Sequence, residues 1–528
     1  MDSRQIVIGS GPAGVSCAQA LLAQGRRVLM LDGGARLEPE NAAKLAQLSE
    51  TPPATWKGNA TAWMREGMQA AVEGIPLKLT YGSDYPFRAM PGAPLIVGEG
   101  INTKFSLGKG GLSTVWGTSV LPFRQHDMHG WPVTADDLAP HYSALLGFMP
   151  VAQASDALEE ILPTYGPGVP MPLSAQATAL LKTLESNASG LRKRGVLFGR
   201  SRLAINAAGV DAKGPCVRCG LCMYGCPYQL LYSTGHTVDR MIANPNFEYA
   251  PGHVVQRIEE SLAGVRLHTT TNSGALQVIQ GERAFVGAGV LATTALMLRS
   301  LDAYDQPVTL RESHYFLLPM LRLAAVPGFQ RGDLHTLAQL FIEIMDETIT
   351  PDTIHLQTYT YNDLFEEPIA HKLGAASKVF PWQAFLSRLF LFQGFMHSDV
   401  SPTTAAHLER SGTSDVLKLA ATLKPETKVI LNKLVAKLTR LFPQTGLLPL
   451  LPLMREGEPG RGFHTGSSFP MSAEPTGFES DLLGRPAGLS RIHVVDSSVL
   501  PSIPATTITF TVMANAHRIG TLVGGGEV

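Results

Sequence analysis

The N-terminal segment alternates two short apolar runs with one segment of helical character. Ile6–Ile8 form the first run, residues 15–23 have helical apolar spacing that Gly25 ends, and Val28–Leu31 form the second run. Short apolar runs on either side of a helix are typical of buried parallel strands joined by a helical crossover. The pattern therefore predicts a β-α-β unit over residues 4–32, at the start of a parallel sheet.

Residues 247–286 show a different pattern, in which apolar and polar positions alternate. The apolar positions are Val254, Ile258, Val265 and Leu267. Alternation with a period of two is typical of half-buried strands, so this segment predicts a β-meander.

Composition changes along the second half of the chain. Residues 301–460 contain more aromatic residues, Leu and Phe, and from residue 461 short motifs of Gly, Ser and Thr return. This change predicts a cofactor domain built from both ends of the chain, with a second domain inserted between them. Within the insertion, Phe385–Phe395 is rich in Phe and Leu and reads either as core or as the lining of a site for an apolar substrate.

The overall composition excludes some functions. The 528 residues, 45% of them hydrophobic, suffice for a large core and two domains. A net charge of −1 with 16% charged residues indicates no nucleic-acid partner. No secretory signal is readable, and the apolar stretch Ala284–Leu298 is shorter than the roughly 18 residues that span a bilayer. We expect no transmembrane segment and a cytoplasmic protein with reduced thiols, or alternatively export with a signal-bearing partner subunit.

A glycine fingerprint follows the first predicted strand as Gly9-x-Gly11-x-x-Gly14. The first glycine permits a tight turn, the second lets the backbone approach a pyrophosphate, and the third allows helix and strand to pack closely. A helix N-terminus at this point favours the anionic pyrophosphate. Asp32 ends the second strand, where a carboxylate can accept hydrogen bonds from ribose hydroxyls. The segment predicts a dinucleotide site but does not distinguish FAD from NAD.

Four of the five cysteines form one run with the spacing C-x2-C-x2-C-x3-C-P. They are Cys216, Cys219, Cys222 and Cys226. This is the spacing by which a short loop wraps thiolates around an iron–sulfur cluster. Either all four bind one [4Fe–4S] cluster or three bind a [3Fe–4S] cluster. Zinc is one alternative, although it prefers two separated C-x2-C pairs. A metal-free structural loop is the other.

Further short motifs lie in the glycine-rich segments and near the C-terminus. They are Gly108-Lys-Gly110-Gly111-Leu-Ser-Thr-Val-Trp-Gly117, Arg283-Ala-Phe-Val-Gly287-Ala-Gly289, His464-Thr-Gly466-Ser, Arg491-Ile-His-Val-Val-Asp496-Ser-Ser-Val-Leu-Pro501 and Thr506-Thr507-Ile-Thr-Phe-Thr-Val-Met-Ala-Asn-Ala516. With the fingerprint, they resemble the motifs of the glucose–methanol–choline (GMC) oxidoreductases from residue 4 to about residue 520. Residues 301–460 carry no motif of that family.

The resemblance implies FAD as the cofactor and assigns roles to several residues. His464 falls on the active-site base near flavin N5, although the glycine of its H-x-x-G element is one residue closer here. Thr507 falls on the second catalytic position, usually His or Asn, and a threonine can donate a hydrogen bond but cannot act as a base near neutral pH. Asp496 matches the acid that contacts the ribityl–phosphate region of the flavin. The other implied FAD contacts are Gly110 and Gly111 in the flavin-cradling loop, Gly287 in the flavin-domain strand, Asp32 in place of the more common glutamate, and Val254 beside adenine.

A subset of the family, the catalytic subunits of bacterial FAD-dependent sugar dehydrogenases, carries an iron–sulfur cluster in a comparable loop. The resemblance maps its ligands to Cys216, Cys222 and Cys226, with Cys219 as an additional ligand. Other GMC alcohol oxidases carry similar cysteine-rich loops without an established cluster, which keeps the metal-free alternative open.

The expected fold class is α/β, or α+β overall. It combines a Rossmann-like FAD-binding domain with an inserted substrate domain built on an antiparallel sheet plus helices. We expect the FAD-binding domain to comprise residues 1–50, 95–135, 200–300 and 461–528, with a cysteine-rich loop at 211–235. The substrate domain is expected at 51–94, 136–199 and 301–460.

The expected function is FAD-dependent oxidation of a small-molecule alcohol, a sugar or a partly apolar alcohol. Hydride passes to flavin N5, His464 accepts the proton, and electrons leave through the cluster to an acceptor protein or a small redox carrier. The alternatives are an oxygen-using GMC alcohol oxidase with a structural cysteine loop, and a non-redox flavin-dependent lyase or isomerase.

Overall fold

The computed structural model describes residues 3–66, 77–207, 214–332, 334–411 and 414–526. These residues form a mixed α/β fold with one parallel sheet, a large antiparallel sheet, a mixed sheet and a three-stranded meander. The predicted fold class is confirmed.

The strands, numbered in chain order, have the following bounds. They are β1 Gln5–Ile8, β2 Val28–Asp32, β3 Leu95–Glu99, β4 Val196–Arg200, β5 Phe247–Pro251, β6 His253–Ser261, β7 Gly264–Thr271, β8 Leu276–Gly281, β9 Arg283–Val286, β10 Val308–Glu312, β11 His314–Arg322, β12 Leu340–Ile344, β13 Ile354–Tyr359, β14 Leu389–Met396, β15 Thr403–Ser411, β16 Ser414–Thr422, β17 Leu447–Pro449, β18 Arg455–Glu456, β19 Thr465–Gly466 and β20 Ile492–Val494.

The α-helices are numbered in the same way. They are α1 Pro12–Ala23, α2 Pro39–Ser49, α3 Ala135–Leu145, α4 Ala175–Ser186, α5 Ala188–Arg192, α6 Thr234–Met241, α7 Val290–Ser300, α8 Glu366–Leu373, α9 Trp382–Leu386, α10 Pro425–Arg440, α11 Phe442–Thr445 and α12 Ile508–Gly525.

The parallel sheet has the strand order β20-β9-β1-β2-β5. Strands β1 and β2 pair in parallel around α1, which confirms the predicted β-α-β unit. Both strands are buried along their length, because helices cover both faces of such a sheet. Helix α12 packs on α1 so closely that a Cβ at Gly520 would lie 2.8 Å from the Cys17 carbonyl oxygen. The sheet therefore unites both ends of the chain.

The predicted meander is confirmed for its central strands and wrong at its ends. Strands β6, β7 and β8 pair antiparallel in sequence order. Strands β5 and β9 instead pair in parallel with β2 and β1. Alternation alone does not distinguish the two outcomes, because the pairing partner of an edge segment is set by tertiary contacts.

The large sheet has the order β17-β11-β14-β13-β12-β4, with β18 also paired to β11. Its pairs are antiparallel, and one of its faces packs against α4 and α10 in a core that includes Phe316, Phe390 and Leu434. Side chains of the alternate residues point to the opposite face, which lines the cavity described below. Phe385–Phe395 thus supplies both predicted environments: Phe390 lies in this core and Phe395 lines the cavity.

The mixed sheet has the order β19-β10-β15-β16-β3. Its short strand β19 follows His464 directly and pairs with β10 at Thr465 and Glu312. The backbone N–H of Ser313 donates to the His464 carbonyl at 3.0 Å. This pairing holds the His464 segment between the large sheet and the parallel sheet.

No helix in the described ranges is long and apolar enough to cross a membrane. The domain boundaries stay a prediction, and their residues 1–2, 67–76, 208–213, 333, 412–413 and 527–528 lie outside the described residues. Residues 211–213, the start of the predicted cysteine-rich loop, are among them.

Candidate active site

The fingerprint glycines lie where backbone segments approach too closely for a side chain. Gly9 has φ +97°, and a Cβ there would lie 2.5 Å from the Gly287 carbonyl oxygen. A Cβ at Gly14 would overlap the Gly9 carbonyl oxygen. Gly11 differs, because the nearest protein atom to its Cβ position is 4.0 Å away, on Gly111. Gly9 and Gly14 therefore serve the fold, whereas Gly11 leaves space at the N-terminus of α1.

A second glycine loop packs onto the fingerprint. Gly110, with φ +93°, donates its N–H to Ser10 Oγ at 2.8 Å. A Cβ at Gly111 would lie 3.1 Å from the Gly11 Cα. The Thr234 hydroxyl, in the first turn of α6, donates to the Ser10 carbonyl at 2.9 Å. Three segments that are distant in sequence thus meet at the N-terminus of α1, where unpaired N–H groups attract anions.

Asp32 and Val254 line one small cavity at the carboxyl end of the parallel sheet. Asp32 accepts hydrogen bonds from Ser10 N at 3.1 Å, Ser10 Oγ at 2.8 Å and the Tyr249 hydroxyl at 2.8 Å. Burial raises the pKa of Asp32, and these hydrogen bonds oppose the shift. Gly9 lines the same cavity, so three residues predicted around one nucleotide lie together.

Asp496 is buried between the parallel sheet and α7. Its carboxylate accepts from Gly289 N at 2.9 Å, from Ser498 N at 3.0 Å and from the Thr293 hydroxyl. Burial raises the pKa of Asp496, and these donors oppose the shift. Its neighbours here are protein groups that fix the loop after β9, next to Gly287. Its contact with a flavin stays a prediction.

A central cavity of about 430 Å³ begins at the N-terminus of α1 and ends under α8. Its inner end is lined by Pro12, by Ser113 of the second glycine loop, and by His464 and Thr507. The two predicted catalytic residues therefore face the same space as the fingerprint.

His464 lies against an aromatic wall. Its ring stacks on Phe395 with centroids 4.6 Å apart and an interplanar angle of 23°. Burial, together with the charge of His355, lowers the pKa of His464 to about 3. The residue is half-buried and lines the cavity. Nδ1 is buried and has no hydrogen-bond partner among the described residues, so Nε2 is the nitrogen left to face a substrate.

Thr507 is the residue that precedes α12. The backbone N–H of Leu121 donates to its Oγ1 at 2.9 Å. That bond uses the hydroxyl as an acceptor and leaves its proton for a second partner. The side chain lines the cavity near His464, so the hydroxyl can donate to an oxygen placed there.

Sequence reasoning missed polar residues of the large sheet that lie in or behind the cavity wall. Gln357 and Tyr359 line the cavity and share a hydrogen bond of 3.1 Å between the Tyr359 hydroxyl and Gln357 Oε1. His355, on the same face of β13, donates its Nδ1–H to Glu343 Oε1 at 2.7 Å behind Phe395. The two-residue spacing of 355, 357 and 359 was the signal that could have found them.

The cysteine run forms a loop beside the cavity. Cys222 and Cys226 are buried, Cys216 and Cys219 are half-buried, and all are free thiols. Burial raises the pKa of all four, to about 12 for Cys219 and Cys226. The charge of Cys222 raises the pKa of the other three further, so the four groups lie close enough to interact.

Backbone N–H groups point at each of these thiols. Leu230 N donates to Cys226 Sγ at 3.4 Å. A backbone N–H group also lowers the pKa of each of the other three thiols. The donor is Arg218 for Cys216, Leu221 for Cys219 and Thr336 for Cys222. Within the part of the chain that the structure describes, however, no three His, Cys, Asp or Glu side chains meet closely enough to hold one metal ion.

The cysteine loop contacts the central cavity directly. Met223 lines it, and so do Lys78 and Trp116. Lys78 Nζ donates to the Trp116 carbonyl at 2.8 Å. Burial lowers the pKa of Lys78 to about 8, and the charge of Cys222 opposes the shift. The loop and the inner end of the cavity are therefore separated by few side chains.

Comparison with known proteins supports the fold. No family model and no curated protein matches the chain. Among solved structures, pyridoxine 4-oxidase from Mesorbium loti is similar, with a TM-score of 0.61 and 15% sequence identity over 98% of each chain. At this identity the likeness shows a shared fold and leaves activity to be argued from the site.

Proposed function

We propose that the chain is a GMC-type, FAD-dependent oxidoreductase that acts on a CH–OH group. The observation that carries the proposal is the position of His464, whose neutral ring faces the cavity that begins at the glycine fingerprint. The structural neighbour is named an oxidase of the alcohol pyridoxine, on the same fold. The nucleotide would be held by Gly11, Gly110, Gly111, Asp32 and Val254.

The residues that surround the glycine loops fit such a nucleotide. The φ of Gly11, −66°, is accessible to any residue, so its backbone conformation does not require glycine. The absence of a side chain instead leaves open space at the N-terminus of α1, where a pyrophosphate would bind. When bound, FAD supplies the hydride acceptor that converts the alcohol carbon to a carbonyl. What the chain itself supplies is binding, orientation and removal of the hydroxyl proton.

His464 removes that proton in this proposal. A histidine is a general base only while it is neutral, and a pKa held near 3 keeps the ring neutral across the physiological range. The low pKa makes it a weak base at rest, so proton transfer is favourable only as the hydroxyl becomes acidic during loss of the hydride. Nε2 is the accepting atom.

Thr507 orients the substrate oxygen. Its Oγ1 is held by Leu121 N, which aims the remaining hydroxyl proton. A donor at this point can hold the hydroxyl oxygen beside His464 but cannot replace it as a base. One base and one donor therefore take the places of the two catalytic groups usual in the family.

The cysteine loop is proposed to hold an iron–sulfur cluster on Cys216, Cys219, Cys222 and Cys226, through which single electrons leave to an external acceptor. Two features support it: the thiols interact electrostatically, and backbone N–H groups point at each sulfur, as in cluster sites. Among the described residues no three His, Cys, Asp or Glu side chains are grouped so that they could hold a metal ion, so the proposal rests on the cysteine spacing and on these backbone N–H groups.

Oxygen as the acceptor is the second candidate, favoured by the name of the structural neighbour. Two measurements on anaerobically purified protein separate the candidates. Roughly three to four irons and as many acid-labile sulfides per FAD support the cluster. Iron near zero, together with one peroxide per product in air, would support an oxidase with a structural cysteine loop.

Anaerobic flavin reduction by alcohols tests the core of the proposal. His464→Gln should slow reduction by roughly two to four orders of magnitude, which is the usual contribution of a general base. His371→Gln, on the exposed surface of α8, is the matched control. Equal rates in wild type and His464→Gln would remove His464 from the mechanism. Turnover without net flavin reduction would point to a lyase or isomerase.

A further inference from the structure

The central cavity carries charge of one sign. Its lining contains four cationic side chains, Lys78, Lys372, Arg455 and Arg461, and no Asp or Glu among the described residues. A wall of one sign in a low-dielectric cleft attracts ligands of the opposite sign and repels like ones. An amine substrate is therefore disfavoured and an anionic one is favoured.

The strand register of the large sheet shows which end of the cavity lies beside His464 and which end lies farther out. Phe395, stacked on His464, pairs with Tyr315, and the pairs that follow along the same face are Gln393 with Leu317 and Leu391 with Pro319. These residues line the cavity on one face of the sheet. From Tyr315 to Pro319 the strand advances about 14 Å. The wall thus changes from aromatic beside His464, through Gln393, to apolar farther out.

The opposite wall of this outer part is apolar as well. It is formed by Leu364, Phe365 and Ile369, in and before α8, and by Leu453. Sugar hydroxyl groups placed against these apolar side chains would lose hydrogen bonds to water, at a cost that an aliphatic or aromatic body does not incur. The outer cavity therefore suits the body of an apolar molecule.

Lys372 lies at this outer part, and Arg455 lies between it and His464. Leu450 N donates to the Pro319 carbonyl at 2.8 Å, which places the segment after β17 at the end farthest from His464. Lys372 Nζ donates to the carbonyl of Pro452 in that segment at 3.3 Å. Arg455, three residues later, pairs with Leu317 across the sheet and lines the cavity. The cavity thus has an aromatic wall beside His464, and its outer part combines apolar side chains with the cation Lys372, while Arg455 lies level with Leu317.

We propose that the substrate is an amphipathic alcohol with its hydroxyl at one end, an apolar body, and an anionic group such as a carboxylate at the other end. The inference rests on the proposed function for the fate of the hydroxyl. The anionic end is held by Lys372 and Arg455, the body lies along β11 and β14, and the hydroxyl reaches His464 and Thr507. These two cations are specificity-determining residues.

Matched alcohols of one length test the inference on the flavin-loaded protein. Anaerobic flavin reduction is followed with ω-hydroxydodecanoate, its methyl ester and dodecanol. We expect kcat/KM for the carboxylate to exceed that for the ester by roughly tenfold, as one charge-assisted hydrogen bond gives. Added salt should narrow the gap, because part of the attraction is screened.

Substitutions of the two cations test which side chains bind the carboxylate. Lys372→Met and Arg455→Met should each lower kcat/KM for the carboxylate by about tenfold and leave dodecanol unchanged. Lys378→Met is the control, because Lys378 follows α8 on the exposed surface and does not line the cavity. Dodecanoate, which cannot be oxidised, should raise the thermal midpoint of wild type and of Lys378→Met but not of Lys372→Met. If Arg455→Met does not fold, Lys372→Met with its control Lys378→Met, and the comparison of the carboxylate with its ester, still test the inference.

The outcomes separate this inference from the proposed function. Equal use of carboxylate and ester, with normal flavin reduction, overturns the inference alone. Stabilisation by dodecanoate without flavin reduction by any alcohol supports the anionic site and overturns the function. A preference for the ester, or an equal loss in Lys378→Met, also overturns the inference.

Discussion

His464 and Phe395 stack with their ring centroids 4.6 Å apart, although 69 positions separate them in the chain. The contact joins the C-terminal motif segment to strand β14 of the large sheet. It also removes one face of the imidazole from water, which contributes to the desolvation that lowers the pKa of His464 to about 3. A single packing contact thus links the inserted domain to the protonation state of the proposed base.

The lowered pKa predicts how His464 affects acid stability. The unfolded chain takes up the proton near pH 6.5, whereas the folded chain takes it up only near pH 3. Between these values the unfolded state binds more protons, so the free energy of unfolding falls as the pH is lowered through this window. His464→Gln should lose about 4–5 kcal/mol less than wild type over that range in urea titrations, since one pKa unit corresponds to about 1.4 kcal/mol. His371→Gln should behave as wild type, and identical slopes for all three proteins would contradict the shift.

Thr507 allows structural and chemical roles to be separated. Thr507→Val leaves the buried Leu121 N–H without its acceptor and should cost about 1–3 kcal/mol in the free energy of unfolding. It also removes the donor to the substrate, so anaerobic flavin reduction should slow. Thr507→Ser keeps the hydroxyl and should stay within about 1 kcal/mol and close to the wild-type rate. A Ser variant as slow as the Val variant would show that a hydroxyl at this position does not suffice for the wild-type rate.

Replacing Gly14 or Gly11 of the fingerprint with alanine should impair the protein for two different reasons. Gly14→Ala places a Cβ on the Gly9 carbonyl oxygen and should destabilise the apoprotein by about 3 kcal/mol or more. Gly11→Ala meets no protein atom closer than 4.0 Å and should leave apoprotein stability within about 0.5 kcal/mol. It should nevertheless lose FAD, because the methyl group occupies the space for the pyrophosphate. Retention of FAD by a folded Gly11→Ala protein would argue against a nucleotide at this point.

The cysteine loop predicts a specific dependence of iron content on single thiols. Cys222→Ser should lower iron and acid-labile sulfide severalfold, because Cys222 is the thiol whose charge acts on the other three. Cys17→Ala should keep the wild-type iron content, since Cys17 is buried in α1 among core residues. Electron paramagnetic resonance of the reduced proteins gives the same comparison independently of iron analysis. Equal iron in both variants would assign the metal to adventitious binding.

The sequence alone determined those parts of the molecule that depend on local spacing. The β1-α1-β2 unit and the three glycine positions follow from it, because a tight turn, a helix N-terminus and a close strand–helix contact are short-range requirements. The antiparallel substrate sheet was predicted only as a class, and the strands β5 and β9 were assigned to the wrong sheet. Alternation with a period of two does not show which distant strand will pair with a given strand.

Only the tertiary structure decided what surrounds the reacting groups. The stacking of Phe395 on His464, the Tyr249 hydrogen bond to Asp32 and the cationic outer end of the cavity each join segments far apart in the chain. Burial is a property of all neighbours together, so the pKa of His464 could not be read from its motif. The same reason separates the cysteine run, whose spacing in the chain is local, from the surroundings of its thiols, to which the distant residue Thr336 contributes hydrogen bonds at Cys222.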